Sequence, residues 1–280
     1  MNSKKIFHKN KELVIGGGIC SIYLIWAFLW LVNSLLIKGS LKNPYLPLMN
    51  LKTELIAPFQ KNFILGTDIF GRSLLEILSA GLFYSISISL IVSLASCLIG
   101  LVVGYLSVHS FRYLKNICDF FTNLVFILPS LLLAILLMSF SGQSLFGLIF
   151  VLIFTGWPSY AKLARGETKR ILGLCYLEGA KAIGSSKIRV FFKIMIPEIL
   201  PIFLVHIILG LSGVIISEAT LGFLGLGGSE YSWGVLLSMG KSVLLEAPYI
   251  VIITSLVLGL LIIGLNLLGD GLRDYLDPKS

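Results

Sequence analysis

Apolar positions along the chain run in long uncharged stretches separated by short polar segments. A helix needs about 20 mostly apolar residues to cross the hydrocarbon core, where every backbone N–H and C=O must be paired within the protein. The first stretch, 13–37, predicts a spanning helix and ends in a polar, proline-bearing segment from Lys38 to Glu76. The second, 77–108, suffices for one long or tilted helix and is too short for two. A third run, from Phe120 to Ala161, holds about 42 residues and has to fold back on itself. The polar stretch Ser141 to Ser144 supplies the turn, which places helices at 120–140 and 144–161. Two more follow at 199–221 and 247–268. The pattern predicts an all-α polytopic membrane protein with six transmembrane helices. An N-terminal part covers 1–76, a transmembrane core 77–270 with one large charged loop at 162–198, and a tail 271–280.

Composition supports this division. Hydrophobic residues make up 56% of the chain and charged ones 13%, against roughly a quarter charged in soluble domains. The net charge of +8 does not point to nucleic acid, because uncharged runs rather than a soluble basic surface dominate. Its use is topological: with the N-terminus inside, roughly 16 of the 22 Lys and Arg fall on the cytoplasmic side, as the positive-inside rule requires. Both termini and the loop 162–198 are therefore expected in the cytoplasm. The basic N-terminal residues before 13–37 look like a signal sequence, yet the apolar run is longer than an h-region and lacks an A-x-A-like exit, so it is read as a retained helix. The four cysteines are widely spaced and frame neither a disulfide nor a zinc site. Gly100 and Gly104 have the small-xxx-small spacing of close helix contacts.

The charged loop has its own pattern. Leu163, Ala164, Ile171, Leu174, Cys175 and Ala182 recur among charges at helical spacing, Gly184 interrupts, and Ser185 or Ser186 can cap a second helix that Pro197 stops. Two helices meeting around a glycine, outside the membrane, are expected. On pattern alone a plain cytoplasmic loop or an interfacial amphipathic helix fits as well.

The finer spacing is Glu178-Gly179-Ala180, three residues, Gly184, nine residues, Ile194, one residue, Ile196-Pro197. It resembles the EAA loop of type I ABC importer permeases, with Gly179 in place of the first alanine and Ile196 in place of leucine. Further stretches extend the resemblance from about Leu65 to the end of the chain: LGTDIFGR from Leu65, LPSLLLAI from Leu128, GWPSYAKLARGE from Gly156, EATLGFLGLG from Glu218, SWG from Ser232 and NLLGDGLRDYLDP from Asn266. Together they resemble the C-type permease of dipeptide, oligopeptide and nickel importers. The resemblance implies a type I ABC importer permease fold and an ATPase-coupling loop carried by Glu178, Gly179, Ala180, Gly184, Ile194 and Pro197. It also implies a second, B-type permease as heterodimer partner, two ABC ATPase subunits and an extracytoplasmic solute-binding protein, all in the bacterial inner membrane. Di- or oligopeptides are the expected cargo, with nickel or a metal chelate the alternative within the class.

Glu218 is the one acid deep enough in a predicted span to cost at least about 2.5 kcal/mol on insertion scales, so it should face protein or water. It is a candidate for a gate or pathway, together with Gly225 and Gly227, although the glycines also suit a helix stop. His206, alone among apolar neighbours, reads as a packed side chain rather than a metal ligand. Gly240-Lys241-Ser242 lacks the correctly spaced glycine and the preceding strand of a P-loop. No catalytic residue, metal or cofactor is expected, and ATP hydrolysis falls to partner subunits. A secondary transporter or channel is the alternative class; it predicts more intramembrane polar residues or an inverted repeat with broken helices.

Overall fold

In the computed structural model, residues 11–38, 49–109, 111–174 and 186–276 are described. Nine α-helices form among them: α1 Lys11–Lys38, α2 Leu74–His109, α3 Arg112–Ile127, α4 Ser130–Ser141, α5 Leu145–Leu172, α6 Lys187–Val190, α7 Ile196–Phe223, α8 Trp233–Ser242 and α9 Pro248–Leu276. Five helical spans are long and apolar enough to cross a membrane, and α3 with α4 makes up to a sixth. For reference, the upper end of the bundle holds residues 49–73, 142–144 and 224–247. The lower end holds the start of α1, the ends of α2, α5 and α9, and α6.

Helix formation follows from the uncharged runs, and hydroxyls within them are satisfied locally. Ser87 donates to the Phe83 carbonyl at 2.7 Å, Thr122 to Cys118 at 2.7 Å and Thr254 to Ile250 at 2.7 Å. Such bonds to the preceding turn let serine and threonine enter hydrocarbon at little cost.

The broadest contact joins α2 to α5. On α2 the buried positions Ser85, Ser89, Ser93, Ser96, Gly100, Gly104 and Ser107 recur every three or four residues and so form one stripe. A Cβ at Gly100 would collide with Tyr160 and the main chain of Ala161; one at Gly104 would collide with Ala164 and Ala161. Close approach of two backbones, unavailable to larger residues, is what the small stripe provides. The same device joins α1 to α9, where a Cβ on Gly16 would strike the α9 backbone and one on Gly271 would strike Leu13. Tyr23 adds a hydrogen bond to the Val257 carbonyl at 2.7 Å. α7 lies across α2 and α9, with Phe203, Ile215 and Leu221 buried.

Several elements differ from the sequence-based expectation. The helix expected at 120–140 is two helices bent by 92°. The break falls at Leu128 and Pro129: proline lacks an N–H and pushes the residue before it into extended backbone, and Leu128 has φ −75° and ψ 134°. α5 runs on to Leu172, beyond the expected end at 161, because the charged residues that stop the apolar run leave its helical spacing intact. α9 likewise continues past 268 to Leu276, with Gly269 against Leu209 and Gly271 against Leu13. Pro197 does not stop the helix before it. α6 continues through a π-helical turn, Phe191–Met195, directly into α7.

The α2–α5 seam makes a measurable prediction. Gly104→Leu should destabilise the detergent-purified protein by about 1–3 kcal/mol or more through overpacking, lowering its thermal midpoint. Gly259→Ala, where an added Cβ meets nothing within 4 Å, should leave the midpoint unchanged or slightly raised.

Candidate functional site

Two regions carry the residues singled out from the sequence, one at each end of α7. Glu178, Gly179, Ala180 and Gly184 lie outside the described residues. Ile194 and Pro197 belong to the joint that carries the loop into the membrane. An α-helix through this point would leave the Lys193 carbonyl without a donor, because Pro197 has no N–H. Here the chain takes a π turn, in which Ile196 N–H bonds to the Phe191 carbonyl five residues back, and the helix runs on through Pro197. Val190 and Met195 are buried in the joint, and Ile194 packs beside them. Phe191 meets Tyr105 at 4.4 Å between ring centroids, and Tyr105 stacks on His109 at 4.3 Å. The loop's last turn is thus seated on the lower end of α2 and continuous with α7.

Ion pairs tie the stems of this loop. Arg170, at the end of α5, bonds Glu167 at 2.7 Å and reaches Glu198, in the first turn of α7, at 3.4 Å. Arg165 pairs with Asp119 of α3 at 2.7 Å, and Lys162 sits 3.3 Å from the centroid of the Phe126 ring. These groups are partly exposed, so each pair contributes about 0–1 kcal/mol.

At the upper end Glu218 is 1% exposed. Ser85 of α2 donates to its Oε2 at 3.1 Å. Around it α8 is wedged against α7 and α2. Trp233, wholly buried, donates Nε1–H to the Leu78 carbonyl at 3.1 Å. Gly81 opposite gives the indole room, and Gly234 lets α8 approach the Ala219 carbonyl. Ser232 caps α8 by accepting from Gly234 N–H at 3.1 Å.

Gly225 ends α7 with φ +76°, and its flanking bonds, Leu226 N–H to Leu221 O at 2.8 Å and Gly225 N–H to Gly222 O at 3.1 Å, are those of a Schellman stop. Gln143 fixes this stop by donating to the Gly225 carbonyl at 2.6 Å. Gly227 rests on Gly222. Tyr231 lies 5.8 Å from Tyr84 between ring centroids, and burial, with Glu230 adding, pushes its phenol above the ordinary value. Glu218, Gly225 and Gly227 are therefore gathered at one junction; Ile194 and Pro197 sit at the opposite end of the same helix. His206 packs edge-on to Tyr160, 4.8 Å between ring centroids.

The segment with Gly66, Thr67, Asp68 and Gly71 folds over the upper ends of α2 and α9. Asp68 accepts from Phe70 and Arg72 N–H at 3.0 and 2.8 Å and forms a buried pair with the Arg72 guanidinium at 2.7 Å. Tyr249 of α9 donates to the Thr67 carbonyl at 2.7 Å. Asp68 therefore closes a turn. Residues that sequence reasoning did not assign are Ser85 and Trp233 around Glu218, and Arg170 with Glu198 at the loop stems. The periodic serines of 77–108 were the available signal for Ser85.

Residues 96–280 match the family model described as binding-protein-dependent transport system inner membrane component. The glutathione transport system permease protein GsiD of Pectobacterium atrosepticum is 33% identical over 220 residues, 77% of this chain and 70% of that protein. The dipeptide transport system permease protein DppC of Haemophilus influenzae is 32% identical, covering 78% of this chain and 74% of that one. The oligopeptide transport system permease protein OppC of Bacillus subtilis is 31% identical, covering 79% and 73%. A chain of the MetNI methionine ABC transporter, in an inward-facing conformation, superposes with a TM-score of 0.59 at 19% identity, over 71% of this chain and 95% of that chain, a likeness of fold.

The upper segment yields a prediction. Asp68→Asn leaves Arg72 buried without its partner, a change that costs about 3–5 kcal/mol in buried pairs. Limited proteolysis should then cut within 49–73 much faster than in the unsubstituted protein, and replacing Arg72 by Met in the same chain should restore part of the resistance.

Proposed function

The chain belongs to the family of binding-protein-dependent transport system inner membrane components, and from that membership we propose that it forms half of the translocation pathway for di- or oligopeptides in an ATP-driven importer. It is a multi-pass protein of the bacterial inner membrane and a non-catalytic transport subunit that works with other permease and ATPase subunits. The observation that carries the peptide assignment is that three relatives at 31–33% identity, matched over more than three quarters of this chain, are permeases named for glutathione, dipeptides and oligopeptides.

In this reading the lower end is cytoplasmic, as the distribution of Lys and Arg favours. Glu178, Gly179, Ala180 and Gly184 meet one of two ATPase subunits, where small residues leave a bare backbone for close approach. ATP is hydrolysed there and not in this chain. Movement of the loop passes through Ile194 and the π turn at Pro197 into α7, because α6, the turn and α7 are one continuous rod. At the other end of that rod Glu218 and the Gly225 stop hold α8, so a displaced α7 opens or closes the upper side. The partner drives this switch only by binding the two arrangements with unequal affinity.

A second, B-type permease completes the pathway, and an extracytoplasmic binding protein delivers cargo to the upper end. Support for a partner comes from α7, where Gly213 and Ile216 are exposed with Ser217 and Thr220 beside them. Small residues exposed on a membrane helix suit the close approach of another helix.

Glu178→Lys or Gly184→Trp should reduce uptake by at least about tenfold, the effect of 1.4 kcal/mol of lost docking energy, while the protein still inserts. Uptake that persists, with no ATPase co-purifying with the unsubstituted chain, would sink the pump reading. For cargo, a strain lacking the chain should lose uptake of labelled di- and tripeptides and keep that of nickel; the reverse result would assign the metal.

A further inference from the structure

Glu218 is closed off from water where α7, α2 and the start of α8 meet. The packing there is close: a Cβ at Gly81 would strike the Trp233 ring, one at Gly222 the Ser232 hydroxyl, and one at Gly234 the Ala219 carbonyl. Among the described residues the carboxyl forms no ion pair. His206 lies lower on the same helix, on the order of 18 Å away by helical rise. The other titratable groups on the elements around it are Glu76 and Tyr84 of α2, Glu230 and Tyr231 in the segment leading into α8, and Lys241 at the far end of α8, held over the Phe223 ring. Residues 145–158 of α5 and 250–269 of α9 carry no ionisable side chain.

One contact is all that the geometry gives the carboxyl. Ser85 Oγ lies 3.1 Å from Oε2, and Oε1 has no hydrogen-bond partner among the described residues. An anion kept inside a protein needs a cation or several N–H donors to replace its hydration. A neutral acid needs far less. With its proton on Oε2 the carboxyl donates to Ser85 Oγ, since a hydroxyl accepts as well as donates, and the serine hydrogen turns to the preceding turn of α2. Oε1 is then an uncharged carbonyl oxygen, whose burial without a partner costs much less than that of a charge.

We propose that Glu218 is a proton-binding site that locks the upper junction: α8 closes on α7 and α2 with the carboxyl neutral, and the carboxyl ionises when α8 lifts. Opening admits water, the O–H bond breaks with its electron pair staying on the carboxylate, and the proton passes to water. Closure takes one proton back. The lock stands whatever the cargo; only the side of exchange, the extracytoplasmic solution, rests on the reading of the upper end given above.

The test uses the transporter purified with its co-purifying subunits and reads infrared absorption and thermal stability, neither of which involves cargo or uptake. A protonated carboxyl has a carbonyl stretch at higher frequency than any carboxylate or amide. The unsubstituted protein at neutral pH should show such a band, and Glu218→Gln should lose it. Ser85→Ala, which removes the acceptor, should move the same band to higher frequency. As pH is raised from mildly acid to mildly alkaline, the thermal midpoint of the unsubstituted protein should fall relative to that of Glu218→Gln, because only the glutamate can place a charge in the closed junction. If the glutamine variant does not fold, the shift in Ser85→Ala alone decides. A carboxyl band unchanged by either substitution, or a midpoint difference between parent and Glu218→Gln that stays constant with pH, would overturn the proposal.

Discussion

A bilayer interior offers no water to pair with a peptide group, so everything else in this molecule depends on how closely its helices can approach without leaving one unpaired. Lipid tails are as apolar as leucine, and burial of leucine against leucine therefore gains little there; tight backbone contact and bonds across helices have to supply the cohesion. The stripe of Ser85, Ser89, Ser93, Ser96, Gly100, Gly104 and Ser107 on α2 is the chain's answer. It brings α5 against α2 from about Ile88 to Gly104, and the pair becomes the wall on which α4 and α7 are laid. Large apolar side chains such as Leu90, Ile91, Leu94 and Leu98 are turned outward on the same helix.

α7 is where the two functional ends communicate. A helix that began afresh after Pro197 would be mechanically separate from the loop. The π turn avoids this by moving one hydrogen bond, so a proline that lacks a donor is accommodated inside a continuous element. Twenty-odd residues above, about six helical turns, the same helix presents Glu218 to α2 and α8. Between the lower joint and that carboxylate the helix is unbroken, so a displacement of the joint is transmitted along it.

Much of this was legible in the sequence, for a simple reason. Hydropathy reports which residues can sit in hydrocarbon, and the long uncharged runs located the spans. It does not report where helices end. α5 passes Ala161 and α9 passes Leu268 because the backbone has no reason to stop at the membrane surface, and the helical spacing of Leu163, Ala164 and Ile171 already said so for α5. Proline was the harder signal: Pro129 breaks a span, Pro158 and Pro201 lie inside helices, and Pro197 is absorbed by a π turn. The outcome depends on whether neighbours can serve the freed carbonyl, which one chain's sequence does not reveal. Glu218 stood out because an acid in an apolar run is rare. Ser85, which bonds it, did not, because serine is ordinary in membrane helices, and SWG at Ser232 was read only as part of a resemblance.

The cross-helix bonds are unevenly distributed, and the asymmetry bears on which end moves. In the upper half Trp26 donates to Ser79, Trp233 to Leu78, Ser85 to Glu218, Tyr249 to Thr67 and Gln143 to Gly225; the Trp233 and Ser85 bonds are buried, those of Trp26 and Tyr249 part-buried, and that of Gln143 exposed. A buried hydrogen bond is expensive to break without replacement, about 1–3 kcal/mol for each group left unsatisfied. At the lower end the ties are Arg165 with Asp119, Arg170 with Glu167 and Glu198, and Lys162 over Phe126, all reachable by solvent. When such a pair separates, water takes over both charges and the net cost is about 0–1 kcal/mol. The chain is therefore stiff where α8 closes over α7 and yielding where the charged loop joins the membrane helices. A partner pressing on the loop has little resistance to overcome locally, and the strain it introduces is carried along α7 to the junction where releasing a bond has a price.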